Sequence, residues 1–564
     1  MSTSTAPSPP AAAELGYPTR SPWWFVPSLY FMQGLPVMVV QSMTVTMYKD
    51  LGLSNVQIAV WTSLITWPWI VKMLWGPMVD AMSTKRNWIV VCQTLILAVL
   101  AVAALSLQLP GFVAVSLFAF FAMAFLSATH DIAADGFYML SMNEQRQAFF
   151  VGIRSACFRL ATIFSTGVLV VYAGNLRNAG VEAASAWQRA LLLGAVVYGV
   201  LLVWGAFALP KPPQDTKRRP ARALEILGAF CQILLMLVGL GLVSRLAYMA
   251  GGLVFSLATG SMSTFWTSFG TPLYLEQLRF GENGGNVPIP IFIEFLVSPV
   301  LIAAAAYSTR HLFLRIGMDK TVSAFLSLNR IKAILAFILL YRFGESMIVK
   351  MSPPFLLEPN RSGGLGLNVE AVGYITGTVG VLALVIGGLL GGFVIAAFGI
   401  KKCFWPMVLA LNVPNLLYVW AAFTKPASAI AETILATKDL PLLESIGPRL
   451  GAVFSDPVAA IIAVDQLGYG FGFAAYLVYL LFICQGTPLQ TSLYAIATGL
   501  MALGAMIAGI TSGFVQQWCA QIWPADSFGY FFIAACVLTI PGMLTLFFIP
   551  MDKEDLRRAP VEID

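Results

Sequence analysis

Apolar residues in this chain are gathered into long stretches separated by short polar segments, from Trp23 to Pro550. About 17–25 apolar residues are enough for a helix to cross a bilayer. The first half predicts six such helices, at 24–46, 55–78, 88–109, 112–140, 150–173 and 188–209. The second half predicts six more, at 329–350, 370–397, 403–423, 460–484, 491–514 and 528–550. We therefore expect an all-α integral membrane protein.

The segment between the halves, 211–332, has a different pattern. It opens with a basic linker broken by prolines, 211–222. Two apolar stretches follow near 223–250 and 289–309, with a less clear one near 251–270. These stretches leave the number of inserted helices open until the orientation of the chain is considered.

Basic residues fall in alternate loops, which predicts that both termini are cytoplasmic, because Lys and Arg are retained on that side during insertion. These loops hold Lys85-Arg86, Arg146, 217–219, Lys401-Lys402 and Arg557-Arg558. The basic segments at both ends of the insertion then lie on the same side of the membrane. The chain between them must therefore cross the membrane an even number of times. We therefore expect about two inserted helices, 12–14 helices in all, with 251–288 outside or at the membrane interface.

The composition agrees with this picture. Of 564 residues, 58% are hydrophobic and only 11% are charged, whereas soluble domains have about 25% charged residues. Most of the surface must therefore face lipid. The net charge of +6 lies in short clusters between apolar stretches, so a lipid bilayer, and no nucleic acid, is the expected partner.

The numbers and spacing of cysteine and histidine argue against a disulfide-stabilised protein, a metal-binding protein and an enzyme. The seven cysteines are scattered without a Cys-x-x-Cys pair, which predicts neither a disulfide framework nor a metal site. With only His130 and His311, and no nucleophile–base constellation, we expect no enzymatic activity.

The patterns divide the chain into five parts. Residues 1–22 are rich in Pro, Ala and Ser, without a signal sequence, and predict a disordered cytoplasmic tail. Residues 23–210 and 329–550 each predict a six-helix bundle. Residues 211–328 contain the basic linker and inserted helices, and 551–564 form a cytoplasmic tail.

The two bundles resemble each other in sequence. Residues 29–34 in the first helix are echoed by 340–345 in the seventh. Residues 75–80 and Lys85-Arg86 are echoed by Gly391-Gly392 and Lys401-Lys402. Two six-helix repeats with sites at their interface are typical of the major facilitator fold.

Several segments resemble the AmpG muropeptide permease family, which includes related acetyl-coenzyme A transporters, within the major facilitator superfamily. These segments, in matching order, are 29–36, 72–80, 130–136, Arg159, 340–347 and 485–504. The resemblance implies proton-coupled import of anhydromuropeptides from periplasm to cytoplasm for cell-wall recycling. The chain departs from the family at His130, where Gln is common, and in the length of 223–328.

Asp131 and Asp135 are the strongest candidates for proton coupling. Spaced i,i+4, they share one face of the fourth helix. A charge at membrane depth is unfavourable by about 2.5–3.5 kcal/mol on insertion scales. Burial favours the neutral carboxyl and nearby cations favour the ionised form, so such a pair can take up and release a proton. The alternative is a permanent salt bridge that only holds helices together.

Cations on the second and fifth helices are the candidate partners of these acids and candidate substrate ligands. Lys72 can serve either acid or extend to the cytoplasmic surface. Arg154 and Arg159 open the fifth helix, and Arg159, always charged, needs Asp131, Asp135 or a substrate carboxylate. His130 is a candidate substrate ligand that either titrates or is satisfied by a backbone carbonyl.

The second half supplies further candidates. Arg342 and Glu345, spaced i,i+3, predict either an ion pair near the outer surface or a cavity-lining pair, with Glu345 as the second proton-coupling candidate. An acidic residue is also implied at Glu345 by the resemblance. Asp465, near the outer end of its helix, is the third candidate, or it simply faces water.

Uncharged and loop residues complete the set. Tyr30, Gln33, Tyr341 and Gln485 are candidates for binding sugars and peptides, because such side chains hydrogen-bond hydroxyls and amides. The loop 76–86 is a candidate cytoplasmic gate through Asp80 and Arg86. The glycines of 387–392 predict close packing of a neighbouring helix.

We therefore expect a monomeric secondary transporter of the bacterial inner membrane, driven by the proton gradient without a cofactor, with a muropeptide or similar small molecule as substrate. Two alternatives stay open. One is transport of another anionic or sugar-like solute such as an acyl-coenzyme A, and the other is a membrane sensor that binds ligand without moving it.

Overall fold

The computed structural model describes residues 20–551, with the exception of 73–74, 76–78, 80–82, 143, 214, 216–234, 236–238, 240–299, 301, 308–317, 439, 441 and 485–489. The described residues are helical and contain no strand. The inserted helices, the interface segment 251–288 and the two tails predicted above lie mostly outside the described residues. Two predicted site residues, Asp80 and Gln485, also lie outside them.

The described residues of the first half form nine α-helices. They are α1 Val26–Met38, α2 Thr44–Asp50, α3 Asn55–Leu64, α4 Trp67–Val71, α5 Lys85–Ser106, α6 Phe112–Ser141, α7 Glu144–Thr162, α8 Leu169–Asn178 and α9 Ala183–Ala208. Short π-helical segments, Val39–Met43 and Ile163–Val168, connect α1 to α2 and α7 to α8. The first and fifth predicted helices are therefore continuous but locally widened.

The described chain from Met318 onward comprises the last residues of the insertion and the second half. Its helices are α10 Met318–Leu326, α11 Ile331–Leu340, α12 Phe343–Leu357, α13 Val369–Val372, α14 Val381–Phe398, α15 Ile400–Asn412, α16 Asn415–Thr424, α17 Ala429–Ala436, α18 Leu442–Ser455, α19 Pro457–Cys484, α20 Gln490–Ile522 and α21 Ser527–Leu544. A π-helical segment, Gly373–Gly380, joins α13 to α14.

Ten helical stretches in the described part of the chain are long and apolar enough to cross a membrane. They match ten of the twelve predicted core helices. The other two, the second and the seventh, are broken into α3–α4 and α11–α12. Large apolar side chains such as Phe118, Phe207 and Phe393 are more than 70% exposed, as expected for a surface that faces lipid.

The segment after α16 is mostly helical. It folds into α17 and α18 because Asp456 organises its end. The Asp456 carboxylate accepts hydrogen bonds from the Ser428 hydroxyl at 2.5 Å and from the backbone N–H groups of Val458 and Ala459 at 2.7 and 2.9 Å. Asp456 thus caps the N-terminus of α19 and holds the preceding hairpin against it.

The predicted close approach at the glycine-rich segment is confirmed. α14 packs along α19 with Gly387 against the backbone of Leu467. A Cβ added at Gly391 would lie 2.7 Å from the carbonyl oxygen of Phe471. Only glycine permits this spacing between α14 and α19, so the glycines of 387–392 allow the two helices to pack closely.

An ion pair joins the two halves at one end of the bundle. We call the end that carries Lys85, Leu209 and Met551 the terminal face, and the other end, which carries Asp50 and Glu358, the opposite face. At the opposite face the Lys49 ammonium pairs with Glu358 across the halves. The π-helical segments of the fifth and eighth helices also contact each other.

Candidate functional site

Asp131 lies on α6 between helices of the first half. Its carboxylate pairs with the ammonium of Lys72, at the end of α4, and accepts a hydrogen bond from the Gln33 amide of α1. Of the two interpretations of Lys72, the structure therefore shows pairing with the acid.

Asp135 lies one turn further along α6 and pairs with a different cation. Its carboxylate is 3.1 Å from the Arg154 guanidinium of α7 and 3.2 Å from the Tyr30 hydroxyl, which donates to it. The guanidinium also lies 4.6 Å from the centre of the Tyr30 ring. The Asp135 side chain is 39% exposed.

His130 and Arg159 do not join this cluster. His130 is fully buried, and its Nε2 lies 3.1 Å from the amide nitrogen of Gln93 on α5. The expected backbone carbonyl partner is therefore replaced by a side chain. Arg159 forms no salt bridge with any acid that the structure describes, and it lines a cavity between the halves instead.

Glu345 and Asp465 form a second acidic site, inside the C-terminal half. Both side chains are 0% exposed, as is Asn415. With its amide nitrogen assigned toward the acids, the orientation that satisfies both, Asn415 donates to Glu345 Oε2 at 2.9 Å and to Asp465 Oδ1 at 3.2 Å. Asn415 can reach both because the chain breaks at Pro414, between α15 and α16.

Two expectations for these acids were wrong. Asp465 does not face water, because α17 and α18 extend the bundle beyond the start of α19. Arg342 and Glu345 do not form an ion pair near the outer surface. The helix breaks at Arg342, whose guanidinium donates to the hydroxyl of Tyr469, while Glu345 turns toward Asn415.

A cavity of about 530 Å³ lies between the two halves and is lined by both. We call it the central cavity. Its wall is connected to the buried acids, because two lining residues contact Asp465: Gln466 donates to its carboxylate at 2.9 Å and the Tyr418 hydroxyl lies 3.4 Å away.

Three cations line the central cavity: Arg159, Arg342 and Lys350. The Arg342 guanidinium lies 4.5 Å from the centre of the Phe473 ring. Lys350 Nζ donates to the Thr62 hydroxyl of the other half at 2.8 Å. None of the three forms a salt bridge with an acid of the described chain.

The remaining predicted residues lie elsewhere. Tyr341 is buried within the C-terminal half, stacked on Tyr476 with ring centres 4.9 Å apart, and its hydroxyl donates to the carbonyl of Gly472 at 3.1 Å. Arg86 donates to the carbonyls of Ala206 and Leu209 at 2.9 and 3.2 Å and so caps the end of α9. A gate formed by Asp80 and Arg86 stays a prediction.

Sequence reasoning did not consider Tyr418 and gave Lys350 no role. It named Asn415 only among polar side chains that can bind sugars and peptides, and Gln466 only beside Asp465. The signals were present in part. Gln466 adjoins Asp465, Asn415 follows a proline in an apolar stretch, and Lys350 is a cation in another. Their convergence could not be read, because it joins three helices, α12, α16 and α19, that are far apart in the sequence.

The family model for the Major Facilitator Superfamily matches residues 28–358, more than half of the chain. The chain belongs to the Major Facilitator Superfamily. Solved structures of this fold agree: a mutant of the peptide transporter POT in complex with sulfate aligns with a TM-score of 0.57 at 13% identity, covering 96% of this chain and 98% of that one. A D-xylose-proton symporter aligns with a TM-score of 0.53 at 11% identity, covering 93% and 97%.

Among curated proteins, an uncharacterized protein of Haemophilus influenzae is 21% identical over 94% of this chain and 95% of its own. The anhydromuropeptide permease of Escherichia coli K12 is 24% identical over 222 residues, 39% of this chain and 37% of the permease. The putative transporter AmpG 1 of Rickettsia prowazekii is 26% identical over 38% of this chain and 39% of its own. The matches to these two named transporters thus span less than half of their lengths.

These findings make the chain an AmpG-like major facilitator transporter. It is a multi-pass inner-membrane protein that transports a small molecule, and it is not an enzyme. The Escherichia coli and Rickettsia relatives agree with the family resemblance that the sequence motifs predicted.

Proposed function

We propose that this chain is a proton-coupled importer of anhydromuropeptides that works by alternating access. The observation that carries the proposal is the central cavity, which both halves line and which contacts a buried acidic pair through Gln466 and Tyr418. A substrate in this cavity would touch the same side chains that hold the acids. The name of the Escherichia coli relative supports anhydromuropeptides as the substrate.

Glu345 and Asp465 are the proposed proton carriers. They share the single amide of Asn415, and no cation of the described chain forms a salt bridge with either. Two buried, ionised carboxylates without a cation would be strongly unfavourable. A proton held by this pair relieves that repulsion, and its release requires a change in the cavity wall. Occupancy of the cavity and of the proton site are thereby coupled.

The charge cluster of the first half is a second place where protons or substrate act. Asp131 and Asp135 each have their own cation, Lys72 and Arg154. Protonating either acid would free its cation to rearrange, which is one way for helices to change partners during transport. We propose that this cluster supports coupling, and that Tyr30 and Gln33 orient its acids.

The lining of the central cavity suits a molecule with sugar and peptide parts. Gln41, Thr66 and Gln466 offer hydrogen-bonding groups that match hydroxyls and amides. Trp69 offers an aromatic face on which a sugar ring can stack. The remaining wall is largely apolar, as is usual for small-molecule sites.

We propose that both termini are cytoplasmic, as the alternating basic loops indicate. The opposite face then lies outside, where Lys49 pairs with Glu358 and joins the halves. In this orientation the structure is closed toward the periplasm. One proton moving inward across 100 mV releases about 2.3 kcal/mol, which is available for accumulating substrate.

Uptake of radiolabelled anhydromuropeptide tests the proposal, in a strain without its own permease and with the full-length chain supplied. We expect accumulation above the external concentration and its collapse when a protonophore is added. Accumulation that persists with the protonophore would refute proton coupling. Absence of uptake in a strain whose membranes contain the chain would refute the substrate.

A different anionic solute, such as an acyl-coenzyme A, is the second candidate, because three cations without acidic partners line the cavity. Competition decides between the two. If acetyl-coenzyme A displaces labelled muropeptide and is itself taken up into liposomes, the second candidate is favoured. Binding without uptake of either solute would indicate a sensor.

A further inference from the structure

We propose that Arg159, Arg342 and Lys350 form a subsite in the central cavity for an anionic group of the substrate, most simply a carboxylate. We call these residues the anion subsite. The inference rests on the proposed function in one respect, that the central cavity is where substrate binds. It adds which group of the substrate the protein recognises and which residues do so.

The first argument is the charge of the cavity wall. The acids near the cavity, Glu345 and Asp465, lie behind the wall and contact Asn415, Tyr418 and Gln466 rather than these cations. Arg342 interacts electrostatically with Glu345, but no acid of the described chain acts on Arg159 or Lys350. A cation in a partly apolar cavity without a counter-ion is unfavourable. An anionic ligand would supply that counter-ion.

The second argument is a set of buried donors without partners. The Nε of Arg342 and the hydroxyls of Ser63 and Ser346 are buried, and none has a hydrogen-bond partner among the described residues. All three residues line the central cavity. Buried polar atoms are normally hydrogen-bonded, so such a group of atoms calls for an explanation. All three can donate, which matches a ligand group rich in acceptors.

The third argument is that Arg342 is held in place before any ligand arrives. Its guanidinium donates to the Tyr469 hydroxyl and lies 4.8 and 4.5 Å from the ring centres of Tyr469 and Phe473. Aromatic contacts of this kind hold the planar group while its remaining N–H groups stay available. A fixed, planar donor pair is suited to two-point recognition of a carboxylate.

The anion subsite also joins the two halves. Arg159 and Ser63 belong to the first half, whereas Arg342, Ser346 and Lys350 belong to the second. The cations of the two halves repel each other when the cavity is empty. A carboxylate bound between them would offset that repulsion. Anionic substrate would therefore favour the conformation in which the halves approach around it.

Direct binding to the purified full-length chain in detergent tests the inference with two matched probes. One is radiolabelled anhydromuropeptide with free carboxyl groups, and the other is the same molecule with those groups converted to carboxamides. For the unaltered chain we expect the acid to bind about tenfold or more tightly than the amide. Arg342→Gln and Arg159→Gln should remove that preference, while Arg361→Gln, an exposed arginine at the opposite face, should keep it.

The outcomes separate this inference from the proposed function. If acid and amide bind alike to the unaltered chain, the anion subsite is refuted and muropeptide transport can still stand. If neither probe binds, the proposed substrate is refuted, and binding of inorganic sulfate then tests the anion subsite alone. A sulfate-dependent rise in the unfolding temperature that is lost in Arg342→Gln and Arg159→Gln but kept in Arg361→Gln would support the anion subsite. No such rise in the unaltered chain would refute it.

Discussion

Arg449 and Glu370 form a buried ion pair at 2.5 Å, with side chains 3% and 0% exposed. Arg449 lies on α18, in the hairpin between α16 and α19, and Glu370 lies on α13. Both reach the first half: Glu370 accepts a hydrogen bond from Asn178 at 2.8 Å, and Arg449 donates to Asn175 at 3.1 Å. One buried pair thus connects the hairpin, the second half and α8.

We expect that separating this pair opens the opposite face. Removing one partner of a buried pair typically costs about 3–5 kcal/mol, because the other charge is left buried alone. Glu370→Gln or Arg449→Gln should therefore shift the chain away from the closed conformation. The measurement is labelling of a cysteine introduced at Thr376, which lines the central cavity, by a membrane-impermeant maleimide added outside cells.

The matched control is Arg177→Gln. Arg177 pairs with Asp50 at 3.2 Å at the same face, but both residues belong to the first half. Labelling should rise in the Glu370 and Arg449 variants and stay at the starting level in the control. Equal labelling in all variants would contradict a closing role for the Glu370–Arg449 pair.

Most of the helical framework could be predicted from the sequence, because a membrane helix needs only a long apolar stretch to be recognised. Lys72, Arg154 and Arg159 could also be named as candidate partners of Asp131 and Asp135, since buried charges need partners and few were available, but the sequence did not show which cation pairs with which acid. Neither inference required knowledge of how distant helices pack.

The acidic site of the second half could not be predicted in this way. Glu345 and Asp465 are 120 residues apart, and they meet only because a helix break at Pro414 places Asn415 between them. The burial of Arg449 depends on the hairpin folding into α17 and α18, which a mixed-charge loop sequence does not reveal. Tertiary packing, rather than local pattern, decides these contacts.

Glu345→Gln is expected to allow movement of substrate across the membrane but to prevent its accumulation against a gradient. The amide keeps the shape and a hydrogen bond to Asn415 but cannot exchange a proton. The variant should exchange labelled for unlabelled substrate across liposome membranes, yet fail to accumulate substrate when a proton gradient is imposed. Asp465→Asn should behave in the same way.

The control for this experiment is Glu182→Gln, an exposed acid that begins α9. It should accumulate substrate like the unaltered chain. Gradient-driven accumulation by Glu345→Gln at the unaltered level would exclude Glu345 as the proton carrier and leave Asp465, Asp131 and Asp135 as the remaining candidates.

His130→Gln is expected to leave uptake within about twofold of the unaltered chain, a change of less than about 0.5 kcal/mol. Although His130 adjoins Asp131 in sequence, its ring contacts Gln93 on α5, away from the Lys72–Asp131 pair. A glutamine can replace that hydrogen bond. The dependence of uptake on pH, measured between pH 5 and 8, should be the same as in the unaltered chain. A shifted pH profile would indicate that His130 takes part in transport.

Paired variants of Lys72 and Asp131 distinguish the two interpretations of the first-half cluster. Lys72→Met leaves the Asp131 carboxylate with only Gln33 as a described partner, so we expect a lower unfolding temperature and lost uptake. Adding Asp131→Asn removes the unpaired charge, and the unfolding temperature should recover because no isolated charge remains. If the pair only holds helices together, uptake should recover with it. We expect instead that the stable double variant still fails to accumulate substrate, because neither side chain can then take part in moving a proton.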